Sequence, residues 1–297
     1  MENSQDTVMV IGATGFLGME ICSQLIKANK KVKGLVRKTS DENTLKALHQ
    51  MGVETVIGDM KDLNSLSEAF KNVTSIISSA TSVRSRSEGD SLESVDDEGQ
   101  VNVVKAAKDN NVKHFVFISF NQMNNEFPLQ TAKRKVENAL KESGMTYTIL
   151  QPTFFMEVWL GPHLGFDYPN AKVNIYGAGN NKISWISLRD VASFAVASLD
   201  NEAAKNAFIE LGGPDALSPL EVVKIFEEVS GKTFEVQKVP EEALLGQKEA
   251  APDPLSKSFA SLMLAYAAGS EIKMEETVQK FSHKLISVKD YAKQVLQ

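Results

Sequence analysis

The residues best suited to chemistry come early, at Gly12-Ala13-Thr14-Gly15-Phe16-Leu17-Gly18. The run Val8-Met9-Val10-Ile11 before them has the β-branched, apolar character of a buried strand. After Gly18 the apolar residues Ile21, Cys22, Leu25 and Ile26 recur at helical spacing. Glycines at a strand-to-helix turn let the backbone bend sharply and approach a ligand closely. The unpaired N–H groups and positive dipole end of the helix then face a diphosphate. The spacing is G-x-x-G-x-x-G rather than the G-x-G-x-x-G of many dehydrogenases. It predicts a dinucleotide seat made by Gly12, Thr14, Gly15, Phe16, Leu17 and Gly18. The competing reading is a tight structural turn that binds nothing.

Place in the sheet assigns the rest of that seat. In doubly wound folds the end of the second strand meets the adenosine ribose. Here it reads Leu35-Val36-Arg37-Lys38-Thr39-Ser40, with no carboxylate before Asp41. An arginine forks onto a 2′-phosphate, and Lys38 or Ser40 stands ready to assist Arg37. NADP(H) is therefore the expected cofactor and NAD(H) the lesser alternative; an ordinary solvated basic strand end is the plainer reading. Asp59, with Met60 beside it, follows the third strand and suits the adenine amine, although an aspartate capping the next helix would look the same. Ser79-Ala80-Thr81 ends the fourth strand, where small side chains leave room for the ribose and pyrophosphate.

The elements that must position these residues alternate along the chain. Strands are expected at Val32–Val36, Val53–Ile57, Ser75–Ser78, His114–Ile118 and Thr146–Leu150. Helices are expected at 42–51, after Asp62, at about Leu92–Asn110 and at about Leu129–Ser143, with a polar, Ser- and Arg-rich loop over 81–91. Strands alternating with helices give a parallel sheet covered on both faces. The fold class is α/β: a Rossmann-like doubly wound parallel sheet with a smaller C-terminal α+β substrate lobe. The nucleotide domain spans 1–152, with 183–212 returning to it; 153–182 and 213–297 form the lobe. Within it 153–182 reads as a long irregular insertion. A strand at Ile183–Ser187 precedes a helix at Leu188–Leu199 whose start, Ser187-x-x-Asp190, resembles a cap. Phe208–Leu211 and Thr233–Val239 are further strand candidates, and Ser218-Pro219-Leu220-Glu221 is a capping box with proline at the first helical position.

Composition narrows the function. The 297 residues are 42% hydrophobic and 24% charged, enough for one large domain or a domain with a lobe. The net charge of −6 argues against a general nucleic-acid binder. The single cysteine excludes an internal disulfide, and its place on the apolar face of the first helix makes Cys22 a buried filler. Met1–Asp6 shows no basic, apolar or cleavable targeting pattern, and no later apolar run is long enough to span a bilayer. The expectation is a cytoplasmic protein without a membrane partner. His49, His114, His163 and His283 have no ligand spacing, so no metal site is expected.

Taken together these motifs resemble the short-chain dehydrogenase/reductase superfamily, in its atypical NmrA-like branch with isoflavone-reductase-type enzymes. The resemblance covers about residues 6–240. It rests on the glycine turn, Arg37, Gly58-Asp59, Val95-Asp96-x-x-Gly99-x-x-Asn102, Phe115-Val116-Phe117-Ile118-Ser119, Lys133-x-x-x-Glu137 and Tyr147-Thr148-Ile149-Leu150-Gln151-Pro152. The superfamily uses a Tyr-x-x-x-Lys pair, the tyrosine giving a proton and the lysine lowering its pKa. If Lys133 is that lysine, Leu129 stands at the tyrosine position and has no proton to give. Tyr168-Pro169-Asn170-Ala171-Lys172 has the spacing, but proline and asparagine make a helix there unfavourable. Alcohol–ketone interconversion by the usual relay is thus disfavoured.

What the resemblance implies is a catalytic or ribose-binding Lys133, against the plainer reading of an exposed lysine paired with Glu137. Asn102 would bond main-chain atoms and help to position the lysine. Ser119, ending the fifth strand, would hydrogen-bond substrate or nicotinamide. Phe120, Asn121, Met123, Phe154, Phe155 and Trp159 are candidate pocket walls, against the reading that such clusters are plain core; Phe127 could join them. The expected activity is NADP(H)-dependent hydride transfer to a small unsaturated or quinone-like acceptor, apolar or aromatic, by a monomer or homodimer. The alternative is an NADP(H)-binding redox sensor that reports to a protein partner without turnover; a nucleotide-sugar epimerase is a weaker third idea.

Overall fold

The structure, a computed structural model, describes residues 6–83 and 88–297. Residues 1–5 of the targeting-segment reading, and 84–87 of the expected 81–91 loop, lie outside the described residues. The chain divides into two compact units. The first comprises Met1–Ser119, Thr131–Leu150 and Ala192–Ile209; the second comprises Phe120–Gln130, Gln151–Val191 and Glu210–Gln297.

The alternating pattern appears as β1 (Thr7–Ile11), α1 (Phe16–Lys27), β2 (Lys31–Val36), α2 (Glu42–Gln50), β3 (Glu54–Ile57), α3 (Leu63–Ala69) and β4 (Ser75–Ser78). It continues with α4 (Glu98–Asp109), β5 (His114–Ile118), α5 (Pro128–Ser143) and β6 (Thr146–Pro152). Then come α6 (Met156–Trp159), β7 (Phe166–Asp167), β8 (Lys172–Tyr176), β9 (Ile183–Ser184), α7 (Leu188–Ser198) and β10 (Ala207–Leu211). The last elements are β11 (Ala216–Leu217), α8 (Pro219–Ser230), β12 (Glu235–Val239), α9 (Glu241–Glu249), α10 (Pro254–Ala268), α11 (Glu275–Phe281) and α12 (Val288–Val295).

One sheet carries the first unit, in the order β10-β6-β5-β4-β1-β2-β3. The pairings of β1 with β2 and β4, of β2 with β3, of β4 with β5 and of β5 with β6 are parallel. This is the Rossmann-like doubly wound arrangement. Every residue of β1 and of β5 is buried, as strands covered on both faces require. The order turns outward in both directions from β1, so the crevice at a strand-order reversal lies where β1 and β4 end. Met9, Ile11, Leu66, Phe70, Ile76, Phe115, Phe117, Val136 and Leu140 form the core.

The helix expected over 92–110 opens differently. Leu92–Asp97 is a wider π turn, capped by Ser91, and runs straight into α4. Gly99 makes this possible, since a Cβ there would come within 2.6 Å of the Ser94 carbonyl oxygen. Nothing in residue type signals an extra residue in the first turn of this helix.

In α1, Cys22 is fully buried, and burial pushes its thiol up to about 12. The thiolate, which is the reacting form, is then absent at neutral pH. Ellman's reagent is expected to leave the native protein unlabelled and to titrate one thiol after denaturation; rapid labelling of folded protein would contradict this.

The second unit corrects three expectations. Residues 153–182 are not irregular throughout: β8 pairs in parallel with β12 and antiparallel with β7. Lys172-Val173-Asn174-Ile175-Tyr176 shows only a short alternation, which flanking Gly, Pro and Asn obscured. The strand expected at Ile183–Ser187 makes a ladder only at Ile183–Ser184, with β11; Ile186 then bridges Phe155 alone. The cap expected at Ser187-x-x-Asp190 forms only in its first half: Ser187 Oγ accepts the Arg189 N–H at 3.2 Å, while Asp190 is engaged elsewhere. Glu157 receives Ser187 Oγ at 2.7 Å and the Leu188 N–H at 2.8 Å, while Asp190 accepts from the Ile286 N–H and meets His283 Nε2 at 2.8 Å. A long-range carboxylate outbids the local one, and spacing cannot foresee that. The capping box at Ser218 and Glu221 forms as expected, with Pro219 at the first helical position. No helix among the described residues is long and apolar enough to cross a membrane.

Candidate functional site

The glycine turn between β1 and α1 is built by close approach. Gly12 has φ of +83°, and a Cβ on it would lie 2.8 Å from the Ala80 backbone nitrogen. A Cβ on Gly18 would lie 1.9 Å from the Gly12 carbonyl oxygen. These two positions therefore fix the turn's shape. Gly15 has another role: its φ is −84°, it caps α1 without a side chain, and its N–H donates to the Gly12 oxygen at 3.0 Å. Thr14, Gly15 and Phe16 are exposed, the Phe16 side chain conspicuously so at 69%. The first turn of α1 carries no acidic residue. Leading amides of a helix have no intrahelical acceptor, so an open, carboxylate-free ledge of this kind suits an anion. A diphosphate fits its chemistry.

The neighbouring edge is held rigidly. Ser79 places its N–H 2.9 Å and its Oγ 3.2 Å from the Ile11 carbonyl oxygen. Buried Gln100 accepts from Ser78 Oγ at 2.8 Å and donates to the Ala80 carbonyl at 2.9 Å. Thr81 Oγ1 accepts from the Val83 N–H at 3.3 Å.

At the far end, Arg37 follows β2 and Lys38 is exposed beside it. Ser40 turns inward and accepts the Arg37 N–H at 3.0 Å. The cap of α3 is Asp62, which accepts from the Asn64 N–H; Asp59 instead accepts the Lys61 N–H at 2.9 Å and stays partly exposed. Asn102 donates to the Met60 carbonyl at 3.1 Å, a main-chain bond that steadies the Asp59–Met60 loop.

Lys133 is 6% exposed, and its Nζ donates to the Ile118 carbonyl at 3.2 Å and lies 4.8 Å from the Phe117 ring centroid. The plainer alternative, an exposed lysine paired with Glu137, is overturned, because the apolar face of α5 packs on β5. Burial pushes the ammonium below the usual lysine range, against the pull of Asp96 and Glu137. Glu137 accepts from Ser119 Oγ at 2.6 Å and from the Arg134 guanidinium. Asp96, on the π turn, takes the Ser82 N–H and hydroxyl on Oδ2 at 2.9 and 2.6 Å. Its Oδ1 is buried with no hydrogen-bond partner among the described residues. Leu129, one turn before Lys133, is buried.

The NmrA-like family matches residues 4–293, nearly the whole chain. The chain belongs to the NmrA-like family. Among its relatives is the photosystem II assembly factor Ycf39 of Trieres chinensis, 28% identical over 79% of this chain and 72% of that protein. The NAD(P)H azoreductase of Xenophilus azovorans is 29% identical over 88% of this chain and 89% of its own length. In structure the chain resembles the NADPH-dependent quinone oxidoreductase of Escherichia coli in complex with NADPH. The TM-score is 0.78 and the identity 21%, over 98% of this chain and 100% of that one. That likeness is one of fold.

In this NmrA-like chain the expected pocket residues all fall in the second unit. Phe154 is 3% exposed and packs edge-on against Trp159 at 4.9 Å and Tyr266 at 6.1 Å. Trp159 also stacks on Tyr266 at 5.5 Å and keeps part of its surface open, as do Phe155, Phe120, Asn121 and Met123. Phe120 stacks on buried Phe127 at 6.0 Å, and Asn121 donates to Ser270 Oγ at 2.8 Å.

Sequence reasoning missed Asp90, Gln100 and the placing of Asp96. Gln100 had a signal of sorts, a lone amide on the inner face of an apolar helix. Asp90 had none, because its partners lie 53 and 29 residues away in the chain.

Proposed function

We propose that this protein is an NADP(H)-dependent oxidoreductase that delivers hydride to a small unsaturated or quinone-like acceptor. The observation that carries the reading is the carboxylate-free ledge at Thr14–Phe16, moulded by Gly12 and Gly18. When bound, the cofactor supplies the hydride from its nicotinamide ring. Gly12, Thr14, Gly15, Phe16, Leu17 and Gly18 would carry the bridging phosphates, and Ser79, Ala80 and Thr81 would leave room for them. Arg37 and Lys38 would take the 2′-phosphate, and Asp59 with Met60 the adenine. Lys133 would donate to the nicotinamide ribose, its charge kept by Asp96 and Glu137 and its proton held at Nζ. With Leu129 at the tyrosine position, a proton for the reduced acceptor comes from solvent or through Lys133. Phe120, Asn121, Met123, Phe155 and Trp159 of the second unit are proposed to recognise the apolar acceptor, with Phe154 supporting them from the core.

The support from relatives is of two kinds. An azoreductase and a quinone oxidoreductase agree with hydride transfer; an assembly factor agrees with a second reading, a cofactor-binding protein that senses rather than turns over. The buried Leu129 is the observation that favours the second. A screen of quinones, azo dyes and enones with NADPH, followed at the nicotinamide absorbance, separates them. Turnover lost in Lys133→Ala is the expected result. Tight NADPH binding without turnover across the panel would overturn the enzyme in favour of the sensor.

A further inference from the structure

Arg37 does not face solvent alone. Its Nη1 donates to Asp90 Oδ2 at 2.7 Å, and Lys61 Nζ reaches Asp90 Oδ1 at 3.2 Å. The Asp90 side chain is only 3% exposed, although Arg37 and Lys61 are about a third open. Two cations thus grip the two oxygens of one buried carboxylate, the pattern in which basic side chains hold a phosphate. Its backbone is tethered too. Gly89, with φ of +77°, turns the chain, and Ser94 Oγ donates to the Gly89 carbonyl at 3.1 Å while Ser91 caps the turn that follows. Burial alone would push the Asp90 carboxyl up; hydrogen bonds from Arg37 and Lys61 outweigh it and hold the group below the usual carboxylate range. It is an anion at neutral pH.

We infer that Asp90 is an internal stand-in for the ribose 2′-phosphate, and that it sets the balance between NADP(H) and NAD(H). The inference rests on the nucleotide seat proposed above. A 2′-phosphate and the Asp90 carboxylate cannot share Arg37 and Lys61: they are like charges seeking the same donors, and one must leave. NADP(H) therefore binds only by displacing Asp90, and a preference for NADP(H) that Arg37 would create is held down. NAD(H), with a neutral 2′-hydroxyl, leaves the Arg37–Asp90–Lys61 cluster in place and can donate that hydroxyl to the carboxylate. Asp90 then does from a distant loop what an acidic residue at the end of the second strand does in NAD-specific relatives of this fold.

The test is the pair of dissociation constants for NADPH and NADH, read by cofactor fluorescence, in wild type, Asp90→Asn and Asp90→Ser. Removing the carboxylate is expected to tighten NADPH by about tenfold and to leave NADH unchanged or weakened by less than about threefold, a range ordinary for loss of one competing charged hydrogen bond. Both variants must melt cooperatively like wild type. Should they not fold, amide exchange in the wild type decides instead: NADPH, but not NADH, is expected to speed exchange at Gly89–Leu92. An NADPH-to-NADH ratio unmoved by either substitution, NADPH binding weakened by them, or equal exchange with both dinucleotides would overturn the assignment. Failure of both dinucleotides to bind any of the three proteins would remove the seat itself, a result distinct from an unmoved ratio.

Discussion

Gly18→Ala is expected to be among the most damaging single substitutions in the chain. The added methyl would sit 1.9 Å from the Gly12 carbonyl oxygen, a backbone atom that cannot swing aside. Relief requires α1 to move off the end of β1, which opens the packing of Ile21, Cys22 and Leu25, all fully buried. Overpacking commonly costs 1–3 kcal/mol, and a clash with backbone belongs at or beyond the top of that range, so about 3 kcal/mol is expected. That corresponds to a fall in melting temperature of roughly 5 °C for a chain of this length, with NADPH binding lost besides. Gly15→Ala provides the contrast. Its φ of −84° suits any residue, and its new Cβ would lie 3.3 Å from the Gly12 oxygen, a contact a small shift relieves. It should fold almost normally yet bind dinucleotide weakly, because the methyl projects where phosphate would approach. Thermal melts with and without NADPH check both. Equal melting of Gly18→Ala and wild type would show that the turn is not built as described.

Lys133→Met is the second large effect, and it splits stability from activity. The methionine keeps the buried aliphatic bulk and drops the charge. Replacing a buried cation by an apolar side chain of similar volume is often neutral or stabilising, so the variant should melt at or above wild type. On the proposed reading turnover nonetheless falls about 10²-fold or more, as for loss of a group that positions or protonates. The pH dependence supplies an independent readout. The folded-state pKa of Lys133 lies below its ordinary 10.5, so between the two the unfolded chain holds the extra proton. Stability from this group is complete above 10.5 and is lost as the pH falls through the folded value. The difference in stability between wild type and Lys133→Met should therefore move in favour of wild type as pH rises through that window. Denaturant melts at several alkaline pH values measure it; a constant difference would mean that Lys133 is not buried with a lowered pKa.

Much of this was legible in residue type and order. The strand–glycine–helix start, the alternation through Leu150 and the capping box at Ser218 each depend on contacts within a few residues, where spacing speaks directly. The same is true of Cys22, whose place on one helical face foretold its burial. What stayed hidden depends on contacts across long separations. Glu157 joins Ser187 in capping α7 where Asp190 was expected, β8 finds its partner in β12 more than 60 residues on, and Asp90 crosses from a loop to Arg37. The burial of Lys133 belongs to the same class: an i, i+4 glutamate suggested an exposed pair, while the packing of α5 on β5 decided otherwise. Arg37 read in isolation promised a strong claim on a 2′-phosphate; with Asp90 against it, the claim becomes a competition.

The central proposition, a dinucleotide seated on the turn between β1 and α1, is tested most directly by a crystal structure of the protein grown with saturating NADPH. The account predicts density for the bridging phosphates over Gly12–Gly18, with the adenosine ribose beside Arg37 and the nicotinamide ribose within reach of Lys133. Clear density for the cofactor elsewhere, or an empty turn in crystals saturated with NADPH, would contradict it.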